Sequence, residues 1–172
     1  MHTVPTKGFT LVELVIVLTM LAVMAAVAAP YMTRAVQAYN NSSAAVQTLG
    51  KVRNASERLV RELRAIRRLP SGNYDVTVGA NPLVFTKTDG ETVTVNYAPP
   101  LVTLTYASVS GVTPTLTDEV SNLTFNYWQS DGSTPATGGD NVAYIEFELI
   151  LDPGTAATPW SHRGRVALRN QE

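Results

Sequence analysis

Residues 7–30 read KGFTLVELVIVLTMLAVMAAVAAP, and the reading of this stretch decides the fold. Lys7 and Gly8 precede an apolar run from Phe9 to Ala29 that one acid, Glu13, interrupts. As a helix the run is about 31 Å long at ~1.5 Å per residue. That length matches a bilayer hydrocarbon core of ~30 Å. Pro30 then interrupts the pattern, because it has no N–H and its ring crowds the preceding turn. The basic flank at Lys7 predicts a cytoplasmic start, with the rest of the chain across the membrane. A carboxylate at the centre of such a helix costs ~2.5–3.5 kcal/mol. Glu13 lies early enough to reach toward the interface, but in a helix bundle it needs a partner.

Three readings fit an apolar run of this length. A plain single-pass anchor leaves Glu13 and the Lys-Gly-Phe junction unexplained. A secretory signal peptide cut within Ala26-Val27-Ala28-Ala29 has suitable small residues. Against it, the run exceeds the ~7–15 apolar residues such peptides use, and it holds an acid.

The third reading uses every feature. Lys7-Gly8-Phe9-Thr10-Leu11-Val12-Glu13-Leu14 closely resembles the processing site of type IV prepilins and pseudopilins. The resemblance implies cleavage after Gly8 by a prepilin peptidase and N-methylation of the new terminus, Phe9. It places the family's acid at Glu13 and its helix-kinking proline at Pro30. Cleavage would create an ammonium group on Phe9, cationic at neutral pH. In a filament, Glu13 of one subunit would pair with the Phe9 amine of a neighbour. Such a buried pair sets register more than it adds stability.

The chain has 172 residues, enough for one exported domain on a long helix, and it has no cysteine. No disulfide can therefore staple the exported part. Many major pilins close a C-terminal loop with a disulfide, so this departure favours a minor subunit. The net charge of −1 is unevenly spread. Residues 31–69 carry eight Lys or Arg against Glu57 and Glu62, while residues 70–172 carry four against eleven Asp or Glu. A basic stem and an acidic head imply complementary packing or a charged partner.

Residues 31–69 are rich in helix formers. Leu49, Val52, Ser56, Leu59, Leu63 and Ile66 recur at spacings of three and four, one face of an amphipathic helix. Glu57 with Arg61 and Arg58 with Glu62 are i,i+4 pairs. Arg64, Arg67 and Arg68 crowd the expected last turn, and Pro70-Ser71-Gly72-Asn73 stops it. Asn40-Asn41-Ser42-Ser43 and Gly50 predict a frayed or bent middle. From Tyr74 the pattern turns to period two. It predicts a hairpin of residues 83–87 and 91–97 about Asp89-Gly90, then strands over 101–106, 123–128, 142–151 and 165–169. Apolar residues on alternate positions predict an antiparallel sheet with one dry side, packed on Leu59, Leu63 and Ile66.

The expected fold is therefore α+β and pilin-like. It comprises a leader (1–8, removed), a transmembrane helix (9–30), an amphipathic helix (31–69) and a β head (70–172). The head is similar, more loosely, to minor pseudopilins of type II secretion and to minor pilins of the mannose-sensitive haemagglutinin type. That similarity rests on Ala55-Ser56-Glu57-Arg58-Leu59-Val60-Arg61-Glu62-Leu63-Arg64, Phe125-Asn126-Tyr127-Trp128 and Val166-Ala167-Leu168-Arg169-Asn170.

Candidates for site chemistry are few. The histidines are His2, lost with a leader, and His162, expected in an exposed loop. Asp118-Glu119 and Asp131 with Asp140-Asn141 offer oxygens to calcium but lack Asp-x-Asp-x-Asp spacing. Tyr127 and Trp128 read as sheet anchors. The arginine face reads as a solvated, salt-bridged surface rather than a nucleic-acid site, because Tyr31 and Tyr39 lie far from it. The sequence thus predicts a structural subunit, not an enzyme, with no cofactor. Its implied partners are prepilin peptidase, an inner-membrane assembly platform and other pilin or pseudopilin subunits. The implied location is the inner membrane, then a periplasmic or extracellular filament. The alternatives are a secreted binding protein released by ordinary signal peptidase, or a minor pilin with an adhesin or DNA-binding head.

Overall fold

A computed structural model describes residues 8–109, 111–154 and 158–168. Lys7, His2, Arg169 and Asn170, which enter the expectations above, lie outside the described residues. The chain divides into two units, Met1–Ser42 and Ser43–Glu172. The division falls in the polar Asn40-Asn41-Ser42-Ser43 stretch. Secondary structure is an α-helix, α1 (Leu11–Arg64), followed by seven strands: β1 (Leu83–Thr86), β2 (Thr92–Ala98), β3 (Leu101–Tyr106), β4 (Thr115–Thr117), β5 (Val120–Trp128), β6 (Tyr144–Leu151) and β7 (Trp160–Ala167). The α+β, pilin-like architecture is the expected one.

The first unit contributes the apolar part of α1. Leu, Met and Ala favour the helix, and the hydroxyls in it bond back to its own carbonyls. Thr19 Oγ1 donates to Ile16 O at 2.8 Å and Thr33 Oγ1 to Ala29 O at 3.1 Å. Pro30 lies inside the helix, which is continuous through it and through residues 40–43 and Gly50. The expected fraying there does not occur.

The second unit folds around the last turns of α1. Leu59 and Leu63 have 0% exposure, and Thr48, Val52, Ala55 and Ser56 are buried beside them. Leu49, expected on this face, is 43% exposed, so the buried stripe runs through Thr48 and Ala55 instead. The helix ends at Arg64, not at Leu69. Ala65 and Ile66 close it with bonds to the carbonyls of Glu62 and Leu63, at 3.1 and 3.3 Å. The next residues are drawn into strand-like pairing. Arg67 N–H donates to Thr86 O at 2.8 Å, Thr88 N–H to Ala65 O at 2.9 Å, and Ile66 bridges Lys87. Sheet pairing overrides the local helix propensity, so Arg67 and Arg68 are not in the last helical turn.

Two antiparallel sheets replace the single one expected: β1-β2-β3-β4 and β5-β6-β7. Both line one core, with Phe85, Val93, Val95, Val102 and Leu104 from the first and Leu123, Ile145, Phe147, Leu149 and Val166 from the second. The β1–β2 hairpin turns at Gly90, whose φ of 86° suits glycine. Asp89 Oδ1 accepts the Glu91 N–H there at 2.9 Å. β4 was not expected from the sequence. β5 starts earlier than expected, β6 starts at Tyr144, and β7 begins at Trp160 rather than at Arg165. His162 therefore sits on a strand opposite Leu149, not in a loop.

Leu59→Ala should lower the stability of the folded chain in detergent by about 2–5 kcal/mol, because it opens a cavity at the centre of the core. Leu49→Ala should change it by less than about 0.5 kcal/mol. Denaturant unfolding followed through the head's tryptophan fluorescence checks both. Equal effects would show that the stripe has been misplaced.

Candidate functional site

Gly8 and the helix start that follows it form the candidate site. Thr10 caps α1: its Oγ1 accepts the Glu13 N–H at 3.3 Å, and its carbonyl accepts the Leu14 N–H at 3.2 Å. Glu13 is thus the third residue of the helix, in its first turn. Threonine at the cap with glutamate three residues on is the spacing of a capping box, and an acid there suits the positive end of the helix dipole. The sequence reading missed Thr10, although that spacing ahead of an apolar run is a recognisable start signal.

Among the described residues nothing covers this end. Phe9 is 83% exposed, and the membrane-length apolar stretch of α1 has 0% of its residues buried. Glu13 has no ion-pair partner among the described residues. A Cβ added to Gly8 would meet nothing within 4 Å. The described residues therefore set no packing demand for glycine at that position. Pro30 lies at the far end of the apolar run, where it withholds the N–H that the Ala26 carbonyl would accept.

Residues 5–29 match the family model described as the prokaryotic N-terminal methylation motif. The match supports a type IV pilin-class protein: a membrane-anchored precursor processed by prepilin peptidase and assembled with other pilin subunits. It covers the N-terminal segment and does not extend to the head. No curated protein matches the chain.

The head's charged residues are mostly engaged with one another. Lys51 Nζ lies 2.7 Å from Asp118 Oδ1 and 2.8 Å from Glu119 Oε1, and Thr48 Oγ1 donates to Glu119 Oε2 at 3.4 Å. Glu119 holds a φ of 60°, unusual for a side chain of its kind. Tyr106 OH donates to Glu62 Oε1 at 2.7 Å and accepts from Arg58 Nη2 at 2.9 Å. Lys87 lies 3.1 Å from Asp89 and 3.8 Å from Glu62. Arg67 bonds Asp75 at 2.6 Å, and Glu57 pairs with Arg53 at 2.8 Å rather than with Arg61. Asp131 accepts from Ser133 N–H and Thr134 N–H, both at 3.0 Å. Of the acids weighed as calcium ligands, Asp118, Glu119 and Asp131 are therefore already engaged by groups of the chain itself. No group of three or more potential metal ligands occurs among the described residues. Tyr127 is buried, and burial pushes its hydroxyl up to about 12. Trp128 is half-buried.

The Lys51 ammonium holds the Asp118 carboxyl below its ordinary range, and the Thr134 hydroxyl does the same for Asp131. A carboxyl depressed in the folded state stabilises fully above its unfolded value of ~3.9 and loses that effect as pH falls through the folded value. The head should therefore lose stability progressively below about pH 4. Thermal unfolding between neutral and acid pH tests this. Lys51→Met should flatten part of the slope, and an unchanged slope would remove the clamp from the account.

Proposed function

We propose that this chain is a minor subunit of a type IV pilus or of a type II secretion pseudopilus, a structural protein rather than an enzyme. The observation that carries the proposal is the match of residues 5–29 to the N-terminal methylation motif. In this reading residues 1–8 are the leader, cut after Gly8, and Phe9 becomes the N-methylated terminus. Residues 9–30 form the filament-core helix, and Pro30 gives it a bending point. The remainder of α1 joins that helix to the head at residues 70–172. The absence of cysteine favours a minor over a major subunit.

The physical chemistry supports assembly by this route. An apolar helix surface with no cover among the described residues is stable in lipid or against other helices. Glu13 gains a counter-charge when a neighbour supplies its Phe9 ammonium group. Leaving such a charge unpaired in the bundle costs about 3–5 kcal/mol. Gly8, free of any packing demand, fits a requirement set by a peptidase that needs close access to the backbone.

Protein recovered from filaments should begin at Phe9 and carry one extra methyl group by mass spectrometry. An intact amino terminus there would overturn the processing route. Gly8→Leu should leave the precursor uncut. Glu13→Gln keeps a side chain suited to the helix start but removes the charge. It should insert into the membrane normally and enter filaments about a hundredfold less well. Wild-type incorporation of this variant would end the pairing role while leaving the processing reading intact.

A further inference from the structure

β7 is an edge strand, since the second sheet runs β5-β6-β7. Leu168 N–H donates to Ala143 O at 2.8 Å, one step beyond the Tyr144↔Ala167 pair. Bonded and non-bonded pairs alternate along an antiparallel ladder. Val166, Gly164, His162 and Trp160 therefore turn their backbone groups to β6. Ala167, Arg165, Arg163 and Ser161 turn theirs outward, all four residues are exposed, and those groups have no partner among the described residues.

A groove of about 680 Å³ runs beside this edge. Leu49, Val52 and Val60 of α1 give it an apolar wall, and His162 of β7 closes it. Arg61 and Arg64 stand on its rim. Neither has an ion pair among the described residues, whereas Arg53 of the same wall is neutralised by Glu57 at 2.8 Å. An extended segment beside β7 would set alternate side chains over this groove and the others beside Arg163 and Arg165.

The inner edge of β7 shows what such a strand looks like. On β6, Glu146 stands opposite Arg165 and Glu148 opposite Arg163, while Ile145, Phe147 and Leu149 face the core. Arg163 is held only loosely by those acids, at 3.9 and 3.7 Å, and remains 61% exposed. A second copy of β7 is a poor occupant, because two-fold pairing sets Arg163 and Arg165 beside their own copies and like charges across a sheet repel. We propose that the outer edge of β7 and its flanking groove take up an extended partner segment of alternating acidic and apolar residues, which adds to the β5-β6-β7 sheet as a fourth strand. This surface lies within the second unit, Ser43–Glu172, and stands whether or not the assembly reading holds.

The test uses the full chain in detergent micelles and a fluorescein-labelled, end-blocked peptide of alternating Glu and Val. Anisotropy should rise saturably and weaken with salt, and the same peptide with Lys for Glu should not bind. Ser161→Pro removes one outward N–H without changing charge, a substitution that edge strands accept. It should weaken binding about tenfold or more. Arg61→Gln with Arg64→Gln should weaken binding similarly and flatten its salt dependence, and this pair decides the matter if Ser161→Pro lowers the melting temperature. Amide exchange should slow at Ser161, Arg163, Arg165 and Ala167 and stay unchanged at His162 and Gly164. Absent binding, equal binding of the Lys peptide, protection elsewhere, or dimerisation through this edge that excludes the peptide would each overturn the proposal.

Discussion

The burial of Leu59 and Leu63, at 0% exposure, is the contact on which the head depends. Each of its two sheets has one apolar face, and a small sheet with an uncovered face is not stable in water. The α1 stripe through Val52, Ala55, Leu59 and Leu63 belongs to the same buried cluster as Phe85 of the first sheet and Phe147 of the second. Without it the cluster would lose the members that α1 supplies. No disulfide is available to replace it, as the chain has no cysteine.

The apolar start of α1 obeys a different rule. A surface helix normally keeps an apolar stripe on one side and polar residues on the other. In residues 10–29 every described residue is exposed, and Glu13 and two threonines are the polar side chains. Each has its own accommodation. Thr19 bonds within the helix, and Thr10 and Glu13 lie at the cap, where the backbone N–H groups are unsatisfied. The cap lowers the cost of an acid at this point of the helix in the isolated chain.

What the sequence disclosed followed the range of the signal. The N-terminal segment was readable because its chemistry is contiguous. The β1–β2 hairpin was readable because Val93 and Val95 alternate with threonines around an Asp-Gly turn. The first part of β7 was missed because Trp160-Ser161-His162-Arg163-Gly164 shows no period of two: its core-facing side chains lie partly over an open groove, so burial never selected apolar residues there. The end of α1 was misplaced because residues 65–69 favour helix locally, and β1, far along the chain, overrides them. The Lys51 clamp had no local signature at all, since the Thr48–Glu119 bond that extends it spans 71 residues.

The contrast between a basic stem and an acidic head resolves into two populations of charge. Lys51, Arg58 and Arg67 are paired with Asp118, Glu119, Tyr106 and Asp75 within the second unit's own fold. These contacts link the helix and the segment after it to the strands and their connecting turns, and that is complementary packing. Arg61 and Arg64 are left over, on a turn of α1 whose buried side is already committed to the core. Charges that serve the fold are constrained by their partners, whereas these two are constrained by nothing described in the chain. They border an apolar groove and an open strand edge, so the same charge imbalance that builds the head also marks the side on which it can bind.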